Sequence, residues 1–161
     1  MTYSRSNILR IGARVLSIVL GAIFAYAAYV KLKDPWALFA MNIESYKVLP
    51  LWAVKLVARA LPWAEMAIGI LLIAGILRRI STTAALLLLA VFFGLMVRAY
   101  AKGMEINCGC FGPGEAISWK TLLRDGSMLA GAIFVTAMSF LRGGKRAAAD
   151  ASVAAEPAYR A

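Results

Sequence analysis

Histidine is absent from this chain of 161 residues. That removes the commonest metal ligand, the usual proton shuttle near neutral pH, and any haem held through the chain's own histidine. Acidic residues are scarce: eight Asp and Glu stand against 18 Lys and Arg, for a formal net charge of +10. Cysteine occurs only twice, at Cys108 and Cys110. There is no internal repeat, no Gly-Ser linker and no polar stretch long enough for a sizeable soluble domain; the one low-complexity segment is the Ala-rich tail after Leu141. In a soluble protein so basic a balance would suggest nucleic acid. Here the cations flank apolar runs, so anchoring in a membrane explains them and nucleic acid is not an expected partner.

What the chain does have is apolar length. It is 62% hydrophobic with a mean hydropathy of +0.76, more than a soluble fold can hide. A helical span takes about 20 apolar residues. The expected fold is all-α: an integral membrane four-helix bundle in a lipid bilayer, with a short interfacial helix after the first span. The expected spans are residues 11–30, 51–77, 80–100 and 119–141, making 1–141 one transmembrane domain and 142–161 a disordered tail. The basic start and Ala25-Tyr26-Ala27 also fit a cleavable signal peptide, but the apolar run continues to Val30 and further spans follow.

Local signals refine these boundaries. Asp34 is placed to cap a short helix starting at Pro35 and carrying Trp36, Leu38, Phe39 and Ile43, closed by Tyr46 and Pro50. The second span begins near Leu51, with Lys55 and Arg59 at the headgroup level and Pro62 inside, and stops at Arg78-Arg79. Ser118 is a cap for the last helix. Gly21 with Ala25, and Gly126 with Ala130, are small-xxx-small pairs that suit helix packing.

Lys and Arg divide equally between the two sides, nine of the 18 on each. The N-terminus, Arg78-Arg79 and the tail share one side, which holds the short clusters Arg78-Arg79 and Arg142 to Arg146 and only Asp150 and Glu156 as acids. The expected placement is a bacterial inner membrane with both termini cytoplasmic and the cysteine loop outside.

Cys108-Gly109-Cys110 is followed by Phe111 and Gly112. In an oxidising compartment two such thiols pair, and Gly109 relaxes the backbone between them. A ring this small constrains little chain: the chain-entropy model gives it about 1.6 kcal/mol, against about 3 kcal/mol for a 15-residue loop. A weak and exposed bridge is better suited to redox exchange than to bracing a fold. Two other readings stay open. One is a structural bridge. The other is half of a soft-metal site, which would need further ligands from Met104 or a second chain.

Glu65 sits in an apolar run, where an ionisable group needs a partner. Lys31 and Lys33 end the first span on the same side, and Arg124-Asp125 open the last helix there. Two readings stand beside each other. These residues anchor and pair helix ends; or they serve the dithiol, with Arg124 or Lys102 favouring a thiolate and Glu65 or Asp125 carrying its proton. Trp36, Trp52, Trp63 and Trp119 all fall near span ends on the cysteine side, as an aromatic belt or, in a second reading, a quinone pocket.

Taken together, Lys33-Asp34-Pro35, Tyr46 with Leu49-Pro50, Pro62-Trp63 with Glu65, Cys108-Gly109-Cys110-Phe111-Gly112, Trp119 and Arg124-Asp125 resemble the MauE/DoxX family of redox-associated membrane proteins, over about residues 11–141. The resemblance implies a four-helix membrane bundle. It also implies an association with maturation of a disulfide-rich periplasmic dehydrogenase subunit, alongside a thioredoxin-like partner. The function expected is a thiol–disulfide relay or oxidoreductase working through Cys108 and Cys110, with Gly109, Phe111, Gly112, Glu65, Lys33, Arg124 and Asp125 in support and a quinone as candidate cofactor. The alternatives are a non-catalytic assembly factor for a secreted partner and a small transport or metal-handling subunit.

Overall fold

The computed structural model describes residues 2–104, 106 and 117–155, and side chains over 7–104, at 106 and over 117–141. Cys108, Gly109, Cys110, Phe111 and Gly112 lie outside the described residues. All regular structure among the described residues is helical: α1 (Thr2–Lys33), α2 (Trp36–Ser45), α3 (Leu51–Ala74), α4 (Arg78–Ala101) and α5 (Trp119–Ala155). Three segments among the described residues are long and apolar enough to cross a membrane: Asn7–Lys33, Leu51–Ala74 and Arg78–Ala101. α5 adds an uncharged stretch from Gly126 to Leu141 and packs on α4 and α1.

The helices alternate in direction. Arg14 and Ser17 of α1 meet Ile73 and Leu72 near the end of α3, while Lys31 meets Glu65 further back along it. Thr82 near the start of α4 meets Thr136 and Ser139 late in α5. The bundle is therefore two antiparallel pairs, α1 with α3 and α4 with α5, closed by packing of α1 on α5 and of α3 on α4. Its core is a cluster of Leu20, Phe24, Leu72, Ala85, Ala132 and Val135. Val15, Leu56, Ile70, Leu87, Val91, Ile133 and Phe140 point outward and are exposed. An outside as apolar as the inside is what a lipid solvent selects.

Helix ends follow from local chemistry. Gly75 at φ +73° takes the left-handed conformation that ends α3, its N–H and that of Ile76 both donating to the Leu71 carbonyl. The second span thus stops at Ala74, short of the expected Leu77, and α4 starts at Arg78. Pro50 stands at the α3 N-cap, as the expected start at Leu51 requires. Ser118 caps α5: its Oγ accepts the Thr121 N–H at 3.3 Å. Asp34 does not cap α2. Pro35 occupies that position with no side-chain hydrogen bond, because Asp34 still donates its N–H back to Val30 at the end of α1.

Two further expectations differ from the structure. α5 continues beyond Leu141 to Ala155, where an unstructured tail was expected. Alanine has the highest helix propensity, and residues 147–149 are a run of it. Gly126 and Ala130 do not form a packing face, since Ala130 is exposed and only the Phe93 ring lies near Gly126. Gly21 and Ala25 do: a Cβ on Gly69 would lie 2.8 Å from the Gly21 carbonyl oxygen and 2.9 Å from the Ala25 nitrogen.

Candidate functional site

Lys31 is the chemical centre of the cysteine-side half of the bundle. It sits in the last turn of α1 and is buried, while its neighbours Tyr29, Leu32 and Lys33 are exposed. Its Nζ donates to Glu65 Oε1 at 2.6 Å and to Oε2 at 2.7 Å, and both side chains are almost wholly buried. The ammonium also lies over two rings, Phe39 of α2 at 5.1 Å and Phe92 of α4 at 5.6 Å. Each contact offsets part of the cost of removing this charge from water. One side chain thus ties four helices together.

Asp125 brings in the fifth. It is buried on the second turn of α5 and lines the same cavity as Lys31 and Glu65. The Arg124 Nε lies 2.9 Å from its Oδ1. The cavity measures about 50 Å³ and is otherwise walled by apolar side chains, among them Phe24, Leu88, Phe93 and Met128. That is room for water-sized molecules beside two carboxylates and an ammonium. The four tryptophans lie on the outside: Trp36, Trp52, Trp63 and Trp119 are between 42% and 72% exposed.

The expected residues therefore separate into three groups. Glu65 and Asp125 meet at one cavity, with Arg124 held against Asp125. Lys33 is exposed and stands outside it; the partner of Glu65 is Lys31. Phe39 and Phe92 complete the ammonium's surroundings; the sequence places Phe39 on the short helix but marks neither ring as part of a site. An aromatic residue on an apolar helix carries no local mark of a cation across the bundle. The cysteine loop itself is described only at its base. There the Ile117 N–H donates to the Ile106 carbonyl at 3.1 Å, tying together the chain on either side of residues 107–116. The carboxylate of Asp125 is two helical turns from that base.

At the opposite end of the bundle the α1–α3 contact is of another kind. Arg14 Nη2 donates to the carbonyls of Ile73 at 3.0 Å and Ala74 at 3.3 Å, satisfying the open end of α3. Ser17 Oγ donates to the Leu72 carbonyl at 3.1 Å.

The family described as methylamine utilisation protein MauE matches residues 9–138. A methylamine utilization protein MauE of Paracoccus denitrificans is 33% identical over 113 residues, covering 68% of this chain and 60% of the relative. The match thus spans under two thirds of that protein's length. No solved structure matches the chain. The family match runs from α1 into α5, through the Lys31–Glu65 pair, the cysteine segment and Asp125, and the chain belongs to the methylamine utilisation protein MauE family.

Proposed function

We propose that this MauE-family membrane protein is a thiol–disulfide relay, exchanging with a periplasmic thioredoxin-like protein through Cys108 and Cys110 in the maturation of a methylamine dehydrogenase-type subunit. The carrying observation is that the chain's only two cysteines stand as Cys108-Gly109-Cys110 in the segment bracketed by the Ile106–Ile117 hydrogen bond. A ring of this size adds little stability, so a bridge there serves exchange better than bracing.

The chemistry balances without a further group. A thiolate of the reduced partner attacks one sulfur of the Cys108–Cys110 disulfide, forming a mixed disulfide and releasing the other cysteine as thiolate. The partner's second thiol then displaces the first cysteine. Two electrons and two protons have moved: the partner is left as disulfide and Cys108 and Cys110 as dithiol. The reverse sequence oxidises the dithiol by the same steps. Placement of the termini in the cytoplasm, in a bacterial inner membrane, rests on the clusters Arg78-Arg79 and Arg142 to Arg146, and puts this chemistry on the oxidising side.

The test is a trap. With Cys110→Ser, the partner is expected to accumulate as a mixed disulfide on Cys108, visible as a band that reductant removes. A membrane-impermeant thiol reagent is expected to label both cysteines in intact cells after reduction. A Cys108→Ser/Cys110→Ser protein that still supports maturation of the dehydrogenase would overturn the relay and leave a binding and assembly role for the bundle.

A further inference from the structure

One exposed face of α3 carries two cations and no acid. Trp52, Leu56, Arg59 and Trp63 recur at spacings of three and four residues, so they form one stripe, with Lys55 and Ala60 along its edges. The stripe is exposed throughout: Trp52 is 72%, Leu56 63% and Trp63 67% accessible. Between the two tryptophans runs an open groove lined by Trp52, Lys55, Leu56, Arg59 and Ala60, with two cations and no acid. Among the described residues neither Lys55 nor Arg59 is in an ion pair. Arg59 is nonetheless held in place, because its guanidinium lies 4.5 Å above the Trp36 ring of α2. The patch is thus built from two helices, and one of its cations is oriented in advance.

The geometry points to a binding site for an anionic phospholipid in the leaflet on the cysteine-loop side. Lys55 and Arg59 stand one helical turn apart, about 6 Å along the axis, a spacing that two oxygens of one phosphate diester can bridge. The guanidinium, its ring face occupied by Trp36, keeps its edge for the phosphate. Trp52 and Trp63 lie about 16 Å apart along α3, one on each side of the cations. The stripe therefore passes from an interfacial aromatic through a cationic level to an apolar level, as a headgroup and the start of its acyl chains do. A soluble acidic protein would reach Trp52 and Lys55 but would leave Leu56 and Trp63 uncovered. This site is independent of the cysteines and of the relay.

The protein carrying Trp63 as its only tryptophan (Trp36→Phe, Trp52→Phe, Trp119→Phe) reports on the patch while keeping a ring beneath Arg59. In phosphatidylcholine bilayers, brominated phosphatidylglycerol is expected to quench Trp63 at a concentration roughly tenfold lower than brominated phosphatidylcholine does. Lys55→Gln/Arg59→Gln in this background is expected to bring the two lipids level, and Lys55→Gln alone to remove part of the preference. Arg78→Gln/Arg79→Gln, at the other end of the bundle, is expected to leave it unchanged. Equal quenching by both lipids before any charge is removed overturns the site, as does a preference that survives the double substitution. Inorganic phosphate that abolishes the preference at constant ionic strength would assign the site to free phosphate instead of lipid.

Discussion

Where α1 crosses α3 at Gly21 and Gly69, backbone lies against backbone; towards the other end, at Lys31 and Glu65, charge joins the same two helices beside a cavity. The crossing is dry, with room for no added atom: a Cβ on Gly21 would come within 2.7 Å of the Gly69 carbonyl oxygen. The charged end holds a cavity of about 50 Å³, a pair of carboxylates and an ammonium. In lipid, apolar side chains gain little by leaving the solvent, so close approach of small residues supplies the packing. A buried ion pair contributes much less to net stability, because desolvation offsets most of its attraction. The contrast assigns stability to the glycine end and the buried charges and the cavity to the other.

The largest effect expected comes from halving the pair. Glu65→Leu leaves the Lys31 ammonium buried without its carboxylate, and a loss of about 3–5 kcal/mol is expected, read as a lowered unfolding midpoint in detergent. Lys31→Met/Glu65→Leu should recover most of that loss, since an apolar pair of similar volume replaces a pair that cancels. If the double variant were as unstable as the single one, the charged end would be holding the bundle together and the division between the ends would fail. At the other end no second substitution offsets the loss, because there is no compensating partner. Gly69→Val pushes a branched side chain into the Gly21 carbonyl and the Ala25 backbone, with an expected cost of about 1–3 kcal/mol. Gly12→Ala on α1, where an added Cβ meets nothing within 4 Å, should be neutral or stabilising by up to about 1 kcal/mol. Equal outcomes for these two glycines would remove the close contact from the account.

These two ends were not equally legible from sequence. The all-helical fold and the rough limits of three spans follow from hydropathy, and the Ser118 cap and the start of α3 after Pro50 follow from local rules. The need for a partner to Glu65 was also readable, because a carboxylate among apolar residues has few alternatives in lipid. Its identity was not: Lys31 and Lys33 lie two residues apart, on different sides of α1, and only the rotation of that helix against α3 buries one and exposes the other. The ring pair Phe39 and Phe92 and the approach of Asp125 depend on three more helices. Gly21 with Ala25 and Gly126 with Ala130 follow the same pattern, yet one pair packs and the other does not. The motif states that a backbone can be approached, not which neighbour is there to approach it.

Turn geometry at the end of the glycine half gives a smaller test. Gly75→Ala places a side chain at φ +73°, against the Arg14 guanidinium that caps α3. A left-handed conformation costs an L-residue about 1–2 kcal/mol, and a midpoint shift of that order is expected.

The smallest effect tests whether a polar contact between α4 and α5 behaves like those at the charged end. Thr136 Oγ1 donates to the Thr82 carbonyl at 3.1 Å, and both residues are buried. The Thr82 hydroxyl in turn donates to the Arg78 carbonyl at 2.6 Å. Thr136→Val removes one hydrogen bond but keeps the shape of the side chain. The Thr82 carbonyl is not stranded, because it sits within α4, where a backbone N–H one turn on serves it. The substitution should therefore cost only about 0.6 kcal/mol, the average for hydrogen bonds between membrane helices. A shift as large as that of Glu65→Leu would mean that α4 and α5 rely on polar contacts as the Lys31 cluster does. The bundle would then divide between its two helix pairs, and not between its two ends.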